Sequence, residues 1–131
     1  MNRFMERIRE RVRGKGVRVV LPESEENRVL KAAEHLLRND LARVVLIGEE
    51  HAIRSKARSL GLDIDGAQFV LPETFPGFEG YVDAFVNSLR SKGIGRDQCR
   101  KRLLSPLFFS GMMLKQAAVD ASVAGCVTST A

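Results

Sequence analysis

Val17-Arg18-Val19-Val20-Leu21, followed at once by Pro22-Glu23-Ser24-Glu25-Glu26-Asn27-Arg28, is the stretch whose reading decides the fold. Apart from one Arg, the first five residues are β-branched or aliphatic, the pattern of a strand buried on most sides. Pro22 cannot extend a strand ladder, so the strand stops there. Ser24 is a favourable helix N-cap, and Glu25 and Glu26 stand where a helix dipole favours negative charge. The sequence therefore predicts a helix from this point to about Arg38, with Val29, Leu30, Ala33, Leu36 and Leu37 on one face.

The strand-turn-helix unit recurs downstream. Arg43–Gly48 reads as a second buried strand, and residues 49–60 as a second helix stopped by Gly61. Residues 67–71 read as a third strand closed by Pro72-Glu73. Phe78, Val82, Phe85, Val86 and Leu89 define a helix running to Lys92 and ended by Gly93. Asp97 is placed to cap a short helix carrying Leu103 and Leu104, and Ser105-Pro106 to start another, with Pro at its first position. That last helix is apolar nearly all round, which predicts cover on two sides. Residues 122–127 read as a fourth strand, ending in Thr128-Ser129-Thr130-Ala131. Alternating strands and helices predict an α/β fold: a parallel sheet with right-handed crossovers and helices on both faces, three layers in all.

The 131 residues suffice for one domain with a core. With 44% hydrophobic and 28% charged residues the composition is globular, and no apolar run approaches the length of a membrane helix. The net charge of +5 is local: residues 1–18 hold seven Lys or Arg and two Glu, and the remainder is balanced. Residues 1–14 read as a basic amphipathic helix, with Phe4, Met5, Ile8 and Val12 as its apolar stripe, packed on a domain formed by residues 15–131. No nucleic-acid motif accompanies the charge, so neither nucleic acid nor membrane is the expected partner. Cys99 and Cys126 have neither metal nor redox spacing and fit a reducing cytoplasm, and His35 and His51 are too far apart in sequence to suggest a metal site.

Ligands of open parallel sheets bind outside the carboxyl ends of the strands. That rule selects Pro22-Glu23-Ser24, Gly48-Glu49, Pro72-Glu73 and Thr128-Ser129-Thr130. Helix-terminal charge is the preferred reading of Glu23. The Thr-Ser-Thr end is a candidate phosphate seat, and Arg90 a candidate for a phosphate or carboxylate, although both patterns also suit ordinary turns and helix ends. No Ser-His-Asp set, Walker loop or glycine-rich dinucleotide fingerprint is present.

Several of these segments together resemble the phosphate acetyl/butyryltransferase family. They are Val19–Glu34, Val44–Gly48, Leu89-Arg90-Ser91-Lys92-Gly93, and the run from Pro106 through Met112-Met113 and Asp120 to Ala131. The resemblance implies a Rossmann-like, isocitrate-dehydrogenase-like half, incomplete here because a second domain is absent and Thr-Ser-Thr is followed by no helix. It implies reversible transfer of an acetyl group between coenzyme A, acting as substrate, and inorganic phosphate, with no metal and no covalently bound cofactor. Carried over by motif, Arg90 would contact coenzyme A, and Thr128, Ser129 and Thr130 would line the phosphate and acyl site. No catalytic residue falls within the chain, which alone is expected to be inactive. Cys126, Thr128, Ala117 and Ala121 depart from the family's usual residues and leave acetyl against butyryl preference open. A homo-oligomer, or association with a missing half, is the expected assembly. A stand-alone phosphate- or coenzyme A-binding module, an interaction piece, and a phosphate butyryltransferase are the competing readings.

Overall fold

The computed structural model describes residues 2–125; residues 126–131, and with them Cys126 and the last two positions of the expected fourth strand, lie outside the described residues. Within the described part that strand covers only Ala121–Ser122, shorter than expected. Helix α1 (Arg3–Val12) precedes β1 (Arg18–Leu21), α2 (Asn27–Arg38), β2 (Arg43–Ile47), α3 (Glu50–Ser59) and β3 (Gln68–Val70). Then come a 3-10 turn (Pro72–Thr74), α4 (Phe78–Ser88), a second 3-10 turn (Arg90–Lys92), α5 (Arg96–Leu103), α6 (Pro106–Lys115) and β4 (Ala121–Ser122).

The four strands form one sheet in the order β3-β2-β1-β4, every neighbouring pair parallel. Alternation along the strands divides the core in two. On one face Leu21, Val44 and Leu46 pack with Leu30 and Ala33 of α2 and Ile53 and Ala57 of α3. On the other, Val20, Val45, Ile47 and Val70 meet Val82 and Phe85 of α4, Cys99 and Leu103 of α5, and Phe109, Met112 and Met113 of α6. The chain steps outward from β1 to β3 with helices on one face, then crosses back to β4 with helices on the other. A reversal of direction with a change of face is what crossovers of one hand require. The parallel three-layer expectation holds.

Some local expectations are corrected. Ser24 does not cap α2: the cap position is Glu26, which makes no side-chain capping bond, and Ser24 is buried. Its hydroxyl donates to the Leu21 carbonyl at 2.7 Å and accepts from the Ile47 N–H at 2.9 Å. Asp97 lies in the first turn of α5 rather than at its cap, which is Gly95. The helix carrying Phe78 ends at Ser88, so Arg90 stands in a separate 3-10 turn closed by Gly93 in the left-handed region. Helix α6 is covered on one side only, since Phe108 and Leu114 are 45% and 43% exposed. Helix α1 buries no residue; Phe4, Met5 and Ile8 of its stripe are exposed. It is tied on through the residues after it, where Gly14 N–H donates to the Asp40 carbonyl at 2.8 Å. Among the described residues, no helix is long and apolar enough to cross a membrane.

Charged groups lock the ends of elements. Asp120, just before β4, receives the Arg18 backbone N–H at 2.9 Å and two guanidinium N–H groups at 3.1 and 3.2 Å. Glu79 of α4 is held by Arg96 and Arg100 of α5. Hydrogen bonds from Arg18 therefore lower the Asp120 pKa, and those from Arg100 and then Arg96 lower that of Glu79. Bonds from the Ala52 and His51 N–H groups do the same for Glu49, the cap of α3. A carboxylate whose folded pKa is lowered contributes stability above its unfolded value and loses it as pH falls through the folded one. The thermal midpoint is expected to stay level from neutrality to about pH 5 and to fall below about pH 4, with Asp120→Asn flattening the fall. Solvent exposure of these groups keeps the effect small. A midpoint that rises on acidification contradicts this account.

Candidate functional site

A cleft of about 530 Å³ opens at the carboxyl edge of the sheet. Its walls are Pro22 to Glu26 after β1, Ile47 and Gly48 at the end of β2, and Ser105, Pro106 and Leu107 at the start of α6. The sheet order puts this cleft next to the switch point, where β1 connects away to β2 and β4 arrives from the other side. Gly48 is required by local geometry: its φ is +142°, and a Cβ there would lie 3.0 Å from Ile53 Cδ1.

The two walls differ electrostatically. The start of α6 presents backbone N–H groups, because Pro106 carries none and the Ser105 side chain makes no capping bond to the helix. That end of a helix favours negative charge. The opposite wall carries Glu23, Glu25 and Glu26. Glu26 pairs with Arg28 at 3.4 Å, and Glu23 Oε1 accepts the backbone N–H of Gly125 at 2.8 Å. The cleft can thus receive an anion at the α6 end and hydroxyl or amide donors along the glutamates.

Thr128, Ser129 and Thr130 lie outside the described residues. Arg90 is not in the cleft wall. Arg96 pairs with Asp83, while Arg100 pairs with Glu79 nearer the start of α4, so α5 runs back along α4 towards the carboxyl edge. Arg90 therefore sits at the other end of α4, whose 11 residues rise about 16 Å. There it donates to Asn87 Oδ1 at 2.9 Å. Sequence reasoning missed the part played by residues 105–107. The Ser-Pro pair marks a helix start, but nothing in it says that this start faces Glu23. It also read Glu23 as helix-terminal charge, whereas the side chain reaches across to the chain leaving β4.

The family model for phosphate acetyl/butaryl transferase matches residues 3–131. The chain belongs to this family. It is 37% identical over 122 residues to the phosphate acetyltransferase of Nitratidesulfovibrio vulgaris, covering 93% of this chain and 17% of that protein. Among solved structures, the EutD phosphotransacetylase from Staphylococcus aureus superposes with a TM-score of 0.84 at 30% identity, covering 97% of this chain and 38% of that one. The family likeness also extends to a protein of another name, the NADP-dependent malic enzyme of Escherichia coli, 33% identical over 130 residues and covered over 17% of its length. The chain thus spans well under half of each of these relatives. The family and the fold follow from these likenesses. A similar stretch thus occurs in relatives of two different names.

Proposed function

We propose that residues 15–131 are the α/β lobe of a phosphate acetyltransferase, with residues 1–14 as an appended helix. In the reaction, the coenzyme A thiol gives up its proton to a base. Its sulfur then forms a bond to the acetyl carbon of acetyl phosphate, the carbon–oxygen bond to phosphate breaks, and inorganic phosphate leaves. The lobe's part is to hold anions: Thr128, Ser129 and Thr130 at the phosphate and acyl end, and Arg90 on coenzyme A. Coenzyme A is an extended molecule, so a cation one helix length from the cleft is within its reach. The ligands are small molecules, coenzyme A is a substrate and not a resident cofactor, and the compartment is a reducing cytoplasm. The working assembly is an oligomer, or this lobe with the remainder of the length its relatives have.

The observation that carries this reading is the alignment of 93% of the chain with a phosphate acetyltransferase. The direct test is titration of the purified chain with coenzyme A and with inorganic phosphate, followed by an acetyl phosphate assay. Binding of both is expected, without formation of acetyl-coenzyme A, because the chain spans only 17–38% of its named phosphate acetyltransferase relatives. Arg90→Ala is expected to weaken coenzyme A roughly tenfold, the worth of one charge-assisted contact. Failure to bind either ligand sinks the proposal. The malic enzyme relative favours a second reading, a binding module that needs no acyl transfer. Submicromolar affinity for coenzyme A in the isolated chain would favour that module. Butyryl phosphate run beside acetyl phosphate in a reconstituted assembly decides between the two acyl groups.

A further inference from the structure

Helix α1 carries an apolar stripe that the described residues leave largely uncovered. At about 3.6 residues per turn, Phe4, Ile8, Val12 and Met5 fall within one arc of about 100°. Arg11 borders that arc on one side and Arg9 on the other, with Arg7 and Arg3 beyond Arg11. The sequence alone places the stripe against the domain, and the structure turns it aside. The half-buried residues of the helix are Glu6, Arg9 and Val12, so it leans on the domain by one edge. Phe4, Met5 and Ile8 are exposed, Phe4 to 66%. The placement is held at the end of the helix, where the Gly14 N–H donates to the Asp40 carbonyl and the Arg13 guanidinium to the Asn39 carbonyl. Lys15 and Arg43, both exposed, continue the positive charge onto the amino edge of the sheet, where β1 and β2 begin.

We propose that α1 is a docking element for an anionic lipid surface: Phe4, Met5 and Ile8 enter the boundary between headgroups and acyl chains, and Arg3, Arg7 and Arg11 meet the lipid phosphates. Charge complementarity selects this occupant. Residues 1–18 hold seven Lys or Arg against two Glu, and one of those, Glu6, already pairs with Arg9 at 3.1 Å. An apolar stripe flanked by cations is the make-up of helices that lie in a membrane interface. A nucleic acid would engage the arginines and leave the apolar side chains without a role. A second copy of the helix would set arginine against arginine. The helix lies on the surface and does not cross it, since its 10 residues rise about 15 Å, half the thickness of a bilayer core. The cleft opens at the carboxyl edge of the sheet, away from the amino edge where α1 joins, so docking leaves it open to water. Docking of this kind does not depend on acyl transfer.

The test is co-sedimentation of the whole chain with vesicles of phosphatidylcholine alone and of phosphatidylcholine mixed with phosphatidylglycerol. Binding is expected to the mixed vesicles only, and to weaken as salt rises. One Arg at an anionic surface is worth roughly fivefold in binding, so Arg7→Gln with Arg11→Gln is expected to weaken it roughly twentyfold. Phe4→Gln with Ile8→Gln is expected to weaken it roughly tenfold or more. All four side chains are exposed and Gln is a good helix former, so circular dichroism and the thermal midpoint are expected to match the parent chain. Phe4→Leu with Ile8→Leu keeps the stripe apolar and is expected to bind like the parent. Failure to sediment with the mixed vesicles overturns the proposal. Parent-like binding by Phe4→Gln with Ile8→Gln overturns it too, because the arginines would then attract the surface without insertion. A dimer in sedimentation equilibrium that the same pair of substitutions dissolves gives the stripe to a second copy and likewise overturns it.

Discussion

Replacing Phe109 by Ala is expected to lower the folding free energy by about 3–5 kcal/mol, the range for deleting a fully buried aromatic side chain. Phe109 is 0% exposed. Its ring meets Phe75 edge-on at 5.3 Å and Tyr81 at 5.4 Å, and stacks 6.5 Å from Phe78. Those three residues come from the segment running from β3 into α4, so Phe109 is what seats α6 against α4. The loss combines removed apolar area with a cavity among rings that cannot collapse freely. It also reaches the cleft, because α6 begins at Pro106, three residues before the anchor, and a looser helix carries its first N–H groups away from Glu23. Phe108, next in sequence but 45% exposed, is the control: its Ala variant is expected to cost under about 1 kcal/mol. Urea denaturation of both variants checks this, and equal midpoints would mean that α6 is not packed by that face.

The contrast between these neighbours shows what the sequence could and could not reveal. β1 and β2 were legible because β-branched runs closed by Pro or Gly have few alternatives, and β3 because a short, mainly apolar run is closed by Pro72. The stop of α3 was legible in Gly61, whose φ of +70° suits glycine. α6 was legible as a helix from Ser105-Pro106, but not which side it buries. With Leu107, Phe108, Phe109, Met112, Met113 and Leu114 spread around it, composition gives no direction, and only its neighbours do. The carboxyl edge was legible as the place for a site through topology alone. The groups that shape the site were not. Ser105 to Leu107, Ser24 and Glu23 come together across gaps in sequence that no local pattern records.

Ser24 gives the second large effect and separates a local reading from a tertiary one. The Arg43 N–H donates to the Val17 carbonyl, so the parallel ladder brings the Ile47 N–H to the Leu21 carbonyl two rungs later. The Ser24 hydroxyl is inserted in that last rung, accepting from Ile47 and donating to Leu21. At 3% exposure, water does not replace it freely. Ser24→Ala leaves a buried N–H without its acceptor and is expected to cost about 1–3 kcal/mol. It also loosens the junction of the β1 and β2 ends that lines the cleft, so phosphate affinity falls with stability. A helix cap would lose a similar amount on the same change, so alanine alone does not discriminate. Asp does. At an N-cap, Asp is as good as Ser. In the rung, an ionised Asp can accept from Ile47 but has no proton to donate to Leu21, and it brings a charge into a buried site. Ser24→Asp is therefore expected to be less stable than Ser24→Ala in chemical denaturation at neutral pH. Full rescue by Asp would return Ser24 to the helix and remove it from the wall of the cleft.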